Sequence, residues 1–344
     1  MTTDVLFEIR NAFGVITLNR PEALNALTKE MAAAIDRQLI EWADDDRVRV
    51  ILIKGEGEKA FCAGGDIRWL HDTAKEDPVA AAEFFRTEYT MNARIHHYKK
   101  PYVAFIDGIT MGGGVGLSVH GDFRVAGDRT LFAMPETGIG LFPDVGGGWF
   151  LPRLPDGIGW WYALTGARAR AADALDARIA THYVPSSEHA ALFEDLVALA
   201  DPTKENIRDF VKERADVPDE GGLEGKRADI QRLFSRPSSL DDLYAALKAD
   251  GSAFAGETLE IFAKMSPTSM AITYEHLKRG ADLFFDDVMK AEFRIASRIM
   301  EGGDFFEGVR AQIIDKDRSP NWGEREEIAR YFAPFEDPAR ELQL

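Results

Sequence analysis

Glu136 and Asp144 stand eight positions apart in the segment from Phe132 to Gly148, whose other residues are apolar or are Gly, Pro and Thr. A carboxylate in such surroundings is costly unless it is hydrogen-bonded or used in chemistry. Apolar neighbours also raise a carboxyl pKa toward neutrality, the range that suits general acid–base or nucleophilic work. A structural role competes with this reading. Pro135-Glu136 can open a helix with Glu136 facing the positive end of its dipole, and Asp144 can cap another.

Two glycine-rich segments upstream favour the chemical reading. Ala60-Phe61-Cys62-Ala63-Gly64-Gly65-Asp66-Ile67 follows an apolar run over residues 48–53 and leads into a helix-like stretch. Val103 to Leu117 repeats the plan, with an apolar run, the turn Met111-Gly112-Gly113-Gly114 and a helix start. A chain passing through glycines into a helix N-terminus presents free backbone N–H groups. Neither run is a phosphate-binding loop of the Gly-Lys-Ser/Thr type. Either glycine run alone can serve close packing. Two such junctions followed by a carboxylate pair fit the two donors of an oxyanion hole beside a catalytic group.

On these three segments the chain resembles the crotonase (enoyl-CoA hydratase/isomerase) superfamily. The runs Met111 to Gly121 and Leu141 to Gly148, together with Ser266-Pro267-Thr268-Ser269 and Glu307 to Trp322, are similar to its β-hydroxyacyl-CoA hydrolase branch. The likeness extends from about Asn19 to Trp322. It implies that the amides of Gly65 and Gly113 hold the thioester carbonyl oxygen of a coenzyme A ester, that Glu136 and Asp144 are catalytic, and that Glu88 contacts substrate. The implied reaction is hydrolysis of 3-hydroxyisobutyryl-CoA, or a related 3-hydroxyacyl-CoA, to the free acid and coenzyme A, a step of valine breakdown. Coenzyme A then enters as part of the substrate, with no separate cofactor, and a homo-oligomer is expected.

One departure from the wider superfamily bears on the reaction. Its hydratases carry a Glu in the helix after the middle glycine run, where this chain has Gly116. Dienoyl-CoA isomerases share the Glu/Asp spacing but use a further Asp at that place. Addition of water across a double bond is therefore poorly supplied with acid–base groups, and thioester hydrolysis fits best. Another acyl-CoA reaction, such as isomerisation or decarboxylation, and a non-catalytic acyl-CoA-binding or scaffold protein are the competing readings, since fold does not fix function.

Composition narrows the class further. A chain of 344 residues with 45% hydrophobic content can bury a large core. Its net charge of −17 disfavours nucleic acid as a partner, because phosphate binding needs a basic face. The single Cys62 excludes an internal disulfide and suits a reducing compartment; in its apolar junction it reads as a buried, inert thiol. No apolar run approaches a membrane span. The start of the chain, Met1-Thr2-Thr3-Asp4-Val5-Leu6, is neither a secretory signal nor an Arg-rich transit peptide, so a cytoplasmic location is expected.

The elements that must position these groups read as an α/β core followed by helices. Residues 6–10 and 14–19 suit a hairpin around Asn11 to Gly14. Thr28 is placed to cap an amphipathic helix over Met31, Ile35, Leu39 and Trp42. Short apolar strands over 48–53, 102–106, 123–126 and 131–133 alternate with helices, which implies right-handed crossovers and a mostly parallel, buried sheet. The family resemblance adds a spiral of strand-strand-helix units with a helical C-terminal region. The expected division is a catalytic core over 1–200, a charged helical insertion over 201–260 and a C-terminal helical region over 261–344 packing on the core. Thr165-Gly166-Ala167-Arg168 punctuates two helices, and Ser266-Pro267-Thr268 suits a helix start. Trp322 to Leu344 reads as a charged peripheral tail.

Among the remaining residues, His96 and His97 suit a helix end facing solvent, and His120 a packed position. No His or Cys spacing calls for a metal. Asp66 caps the helix after the first glycine run. Lys54, Arg68 and Lys316 are candidate partners for coenzyme A phosphates.

Overall fold

The computed structural model describes residues 3–235 and 237–344. The chain divides into two compact units. The first holds the chain up to Gly65, Thr90–Phe132 and Ala169–Gly222; the second holds Asp66–Tyr89, Ala133–Arg168 and Leu223–Leu344.

The first unit is built on a six-stranded sheet. Its strands are β1 (Val5–Arg10), β2 (Phe13–Leu18), β3 (Val50–Gly55), β5 (Tyr102–Phe105), β7 (Phe123–Ala126) and β9 (His182–Tyr183), in the spatial order β1-β2-β3-β5-β7-β9. β1 and β2 form the expected antiparallel hairpin, in which Arg10 pairs with Phe13 and Asn11 takes the left-handed conformation (φ +52°) that the tight turn requires. All further pairings in this sheet are parallel. Parallel strands covered on both faces must be apolar throughout, and β2 and β5 are buried at every position. Phe13, Val15, Val50, Leu52, Val103 and Val125 pack with Leu192, Leu196, Ile207 and Val211 of two helices, His189–Val197 and Lys204–Arg214. Each such side chain contributes roughly 1.5–3 kcal/mol when fully buried. Helix α1 (Lys29–Ala43) starts as expected, with the Met31 amide donating to Thr28 Oγ1 (3.2 Å), and buries Met31, Ala32, Ile35, Leu39 and Trp42.

A second, three-stranded sheet has the order β4-β6-β8, from β4 (Ala60–Cys62), β6 (Ile109–Met111) and β8 (Leu131–Ala133). β4 and β6 run parallel, so both glycine runs leave the same end of neighbouring strands.

The second unit is helical. α2 (Ile67–Glu76) is capped by Asp66, which accepts the Trp69 amide (3.2 Å), and the first turns of α3 (Pro78–His96) follow. Later helices include Ile158–Thr165, Arg227–Phe234, Leu240–Asp250, Ala253–Phe262, Pro267–Gly280 and Phe285–Ile299. Ile158–Thr165 is buried along its whole length and ends at Gly166 (φ +62°), as the sequence suggests. Pro267–Gly280 begins at the expected place, with Ser266 accepting the Ser269 amide (3.0 Å).

The C-terminal segment is not peripheral. Tyr331, Phe332, Phe335 and Leu342 are buried, Arg298 donates to the carbonyls of Tyr331 (3.3 Å) and Ala333 (2.6 Å), and Arg86 donates to those of Arg340 (2.8 Å) and Glu341 (3.0 Å). The charged composition of the segment hides a sparse set of apolar anchors and carbonyls bound by arginines.

Candidate active site

In the first unit the two glycine turns lie against one another. Gly64 has φ +114°, and a Cβ built on it would stand 3.5 Å from the Met111 carbonyl oxygen and 3.9 Å from the Gly113 nitrogen. Gly112 (φ 45°, ψ −119°) turns the chain into a single helical turn, Gly113–Gly116, whose first amide is Gly113. Gly114 packs directly on Cys62, leaving no room for a side chain. No acceptor within the described residues takes the N–H of Gly65 or of Gly113. Backbone donors at such turns, ahead of a helix start, are open to an acceptor.

In the second unit three expected carboxylates fall in one buried group. Pro135 leads into a short turn, Glu136–Ile139, with Glu136 at its start; Glu136 is 5% exposed and its Oε2 has no hydrogen-bond partner. Asp144, also 5% exposed, accepts a hydrogen bond from the Tyr89 hydroxyl at 2.7 Å. Glu88 is buried on α3, again with an oxygen lacking a partner, so it does not belong to a solvated helix face.

Burial dominates the electrostatics. It lifts the Glu136 carboxyl well above the usual range, and repulsion from Asp144 adds to this. Asp144 is pushed up to about 7 by burial and by the negative charge of Glu292, against the lowering effect of the Tyr89 hydrogen bond. Glu88 is raised well above its ordinary value by burial, then by Asp144, Glu292 and Glu136. The Tyr89 hydroxyl is likewise raised, by burial first, and remains a donor. These groups cannot all ionise together. Asp144, at about 7, titrates near neutral pH, the range that suits acid–base work.

Three participants were not anticipated from the sequence. Tyr89 is the hydrogen-bond partner of Asp144. Glu292, fully buried, accepts the amides of Gly146 (2.8 Å) and Gly148 (3.1 Å) and pairs with His276 Nε2 (2.9 Å). A Glu inside the apolar stripe Val288, Met289, Phe293, Ile295, Ala296 was the available signal.

The other candidates are scattered. Lys54 lies over the Phe193 ring (4.8 Å) in a groove of about 330 Å³ shared with Arg10, Arg129, Asp107 and Glu194. Arg68 donates to the Ile313 carbonyl (3.3 Å), and Lys316 adopts a left-handed conformation (φ +58°) on the surface. His120 packs edge-on against His96 (5.7 Å). Cys62 is buried, with its sulfur 3.7 Å from the Gly64 carbonyl.

A sequence profile of the enoyl-CoA hydratase/isomerase family matches residues 13–330, and the chain belongs to that family. It is 50% identical over 324 residues to the mitochondrial 3-hydroxyisobutyryl-CoA hydrolase of Gallus gallus, covering 93% of this chain and 84% of that protein. Against the Homo sapiens protein of the same name the identity is 49%, with the same coverage. Among solved structures, a carnitinyl-CoA dehydratase from Mycobacterium thermoresistibile superposes with a TM-score of 0.90 at 37% identity, covering 99% of both chains. An enoyl-CoA hydratase from Rhodobacter sphaeroides gives 0.88 at 39%, covering 99% of this chain and 100% of the other.

The expected cytoplasmic location is corrected by these findings, because the relatives are named as mitochondrial proteins. An organelle address is carried by a detachable segment, and neither net charge nor a lone thiol separates one reducing compartment from another.

Proposed function

We propose that the chain hydrolyses the thioester of 3-hydroxyisobutyryl-CoA, releasing the hydroxy acid and coenzyme A as a step of valine breakdown, the hydrolysis its relatives are named for. The observation that carries this reading is the set of acid–base groups present. Glu136 and Asp144 are buried and raised, whereas the helical turn after the second glycine run offers Gly116 where a hydratase needs an acid.

Attack on the thioester carbonyl places negative charge on its oxygen. The N–H groups of Gly65 and Gly113 take that charge, each donor worth roughly 3 kcal/mol in the transition state. Glu136 either removes a proton from the attacking water or adds to the carbonyl itself. In the second route its carboxylate forms a mixed anhydride, the C–S bond breaks, the thiolate takes up a proton, and water then cleaves the anhydride. Both routes balance with water alone and need no cofactor. Asp144, steadied by Tyr89, receives the substrate β-hydroxyl or handles the proton of the attacking water, and Glu88 contacts the acyl portion. A homo-oligomer belongs to the same reading, resting on the family resemblance; light scattering that gives a monomer at all concentrations would remove it.

Paired esters with and without the β-hydroxyl test these roles. Glu136→Gln keeps size and loses basicity, so turnover of both esters collapses while ester binding persists. Asp144→Asn costs more on the hydroxylated ester than on the plain one. Near-normal turnover by Glu136→Gln removes Glu136 from the chemistry, and equal losses in Asp144→Asn remove its contact with the hydroxyl.

A further inference from the structure

The turn that carries Asp144 is strained and held from outside. Val145 sits at φ +51°, a left-handed conformation that a β-branched residue adopts only when its surroundings impose it. Gly146 follows at φ +86°, and the Gly147 amide closes the turn on the Asp144 carbonyl at 2.7 Å. The two amides flanking that closure, Gly146 and Gly148, both donate to one carboxylate, Glu292 of the helix Phe285–Ile299. Glu292 Oε1 also meets His276 Nε2 of the helix Pro267–Gly280. The His276 ring stands edge-on to Phe142 (5.5 Å) and so close to Gly148 that a Cβ there would overlap it.

We propose that Glu292, fixed by His276, is the positioning residue for Asp144: it clamps the strained turn through the Gly146 and Gly148 amides and so sets where the Asp144 carboxylate points. The inference rests on the reading that Asp144 acts on the substrate. The geometry explains why a fully buried Glu lies in an otherwise apolar stripe, since its two oxygens answer amides that the turn cannot satisfy itself. His276 meets the same Glu292 oxygen, Oε1, that accepts the Gly148 amide, while Oε2 accepts that of Gly146. Glu292 also adds negative charge beside Asp144, whose other titratable neighbours are Glu88 and Tyr89 on α3 and Glu136.

Glu292→Gln provides the test, because its amide group presents N–H to one of the two backbone N–H groups and must release it. A shift of about 1 Å in Asp144 is expected to lower kcat by about 100-fold with KM within about threefold. The Asp144 ionisation itself, followed by carboxyl NMR or infrared titration, moves to lower pH, since one charge facing it is gone; loss of packing alone leaves it in place. His276→Leu reproduces the kcat loss, and His276→Gln, which keeps a donor for Glu292, recovers at least about tenfold of it. Hydrogen exchange of the segment 141–150 reads the clamp without activity, and is faster in Glu292→Gln and His276→Leu than in the parent protein. Parent-like exchange and kcat in either of these two variants overturns the proposal. A parent protein that fails to hydrolyse the thioester overturns the proposed function instead, and the exchange measurement still judges the clamp. If Glu292→Gln does not fold, the two His276 variants decide between the outcomes.

Discussion

Asp144→Asn is expected to stabilise the protein while crippling it, by an amount that grows with pH. In the folded protein Asp144 titrates at about 7 rather than the ordinary 3.8. The folded state therefore keeps a proton that the unfolded chain releases near 3.8, and between these values it binds more protons than the unfolded state does. Stability falls as pH rises through that window, at about 1.4 kcal/mol per unit for one group. The penalty is absent below the unfolded pKa, reaches roughly 2 kcal/mol at pH 5, and is complete at roughly 4 kcal/mol above pH 7. Asn cannot titrate, keeps the side-chain volume and can still accept the Tyr89 hydroxyl, so the pH-dependent part of the penalty is what the substitution removes. Urea unfolding of both proteins at pH 5, 6, 7 and 8 measures the difference, which should widen toward pH 8. A gap that stays constant across the series, or a variant less stable at pH 8 than the parent, refutes the electrostatic account of Asp144.

Other expectations follow from the same geometry. Glu136 must ionise to act as base or nucleophile, and burial and the Asp144 charge oppose this, so kcat should still climb with pH well above the ordinary carboxylate range, about tenfold per unit where one ionisation limits; a rate that falls as pH rises there assigns Glu136 the opposite protonation state. Because Asp144 contributes to raising Glu136, the residual activity of Asp144→Asn should have its acid limb at lower pH, and an unmoved limb would uncouple the pair. Gly113→Val crowds the turn beside Gly64 and should lower turnover about 100-fold, comparable to loss of one oxyanion donor; retained turnover counts against that donor.

Much of the scaffold was legible because its signals are local. The hairpin around Asn11 to Gly14, the Thr28 cap and the Met31, Ile35, Leu39, Trp42 stripe each depend on residues within a few positions of one another, and all are found in the structure, the hairpin with a tighter, two-residue turn. The glycine turns and helix starts were legible for the same reason, but the apolar runs read as leading into them are β3 and β5, and β4 and β6 intervene. The strands β4 and β6 themselves are three residues long, too short for periodicity to mark them. The partners of the carboxylates were hidden by distance. Tyr89 meets Asp144 across 55 residues, and Glu292 reaches Gly146 across 146. In sequence Glu292 is one acid in a charged, amphipathic helix; its place in the apolar stripe hints that it points inward, but not at which amides it meets. His276 was similarly masked, since His at one position of a helix carries no signal until Glu292 is seen beside it. The location failed for a different reason, because it is not encoded in the folded chemistry at all.

The central claim is that the acid–base groups of this chain serve thioester hydrolysis rather than hydration. Its most direct test gives the purified protein 3-hydroxyisobutyryl-CoA and crotonyl-CoA in parallel, following free thiol from the first and loss of the conjugated double bond from the second. Hydrolysis of 3-hydroxyisobutyryl-CoA exceeding crotonyl-CoA hydration by at least about 100-fold in kcat/KM, the scale set by removing one essential catalytic interaction, is the predicted result. Efficient hydration of crotonyl-CoA with no thiol released from 3-hydroxyisobutyryl-CoA would contradict it.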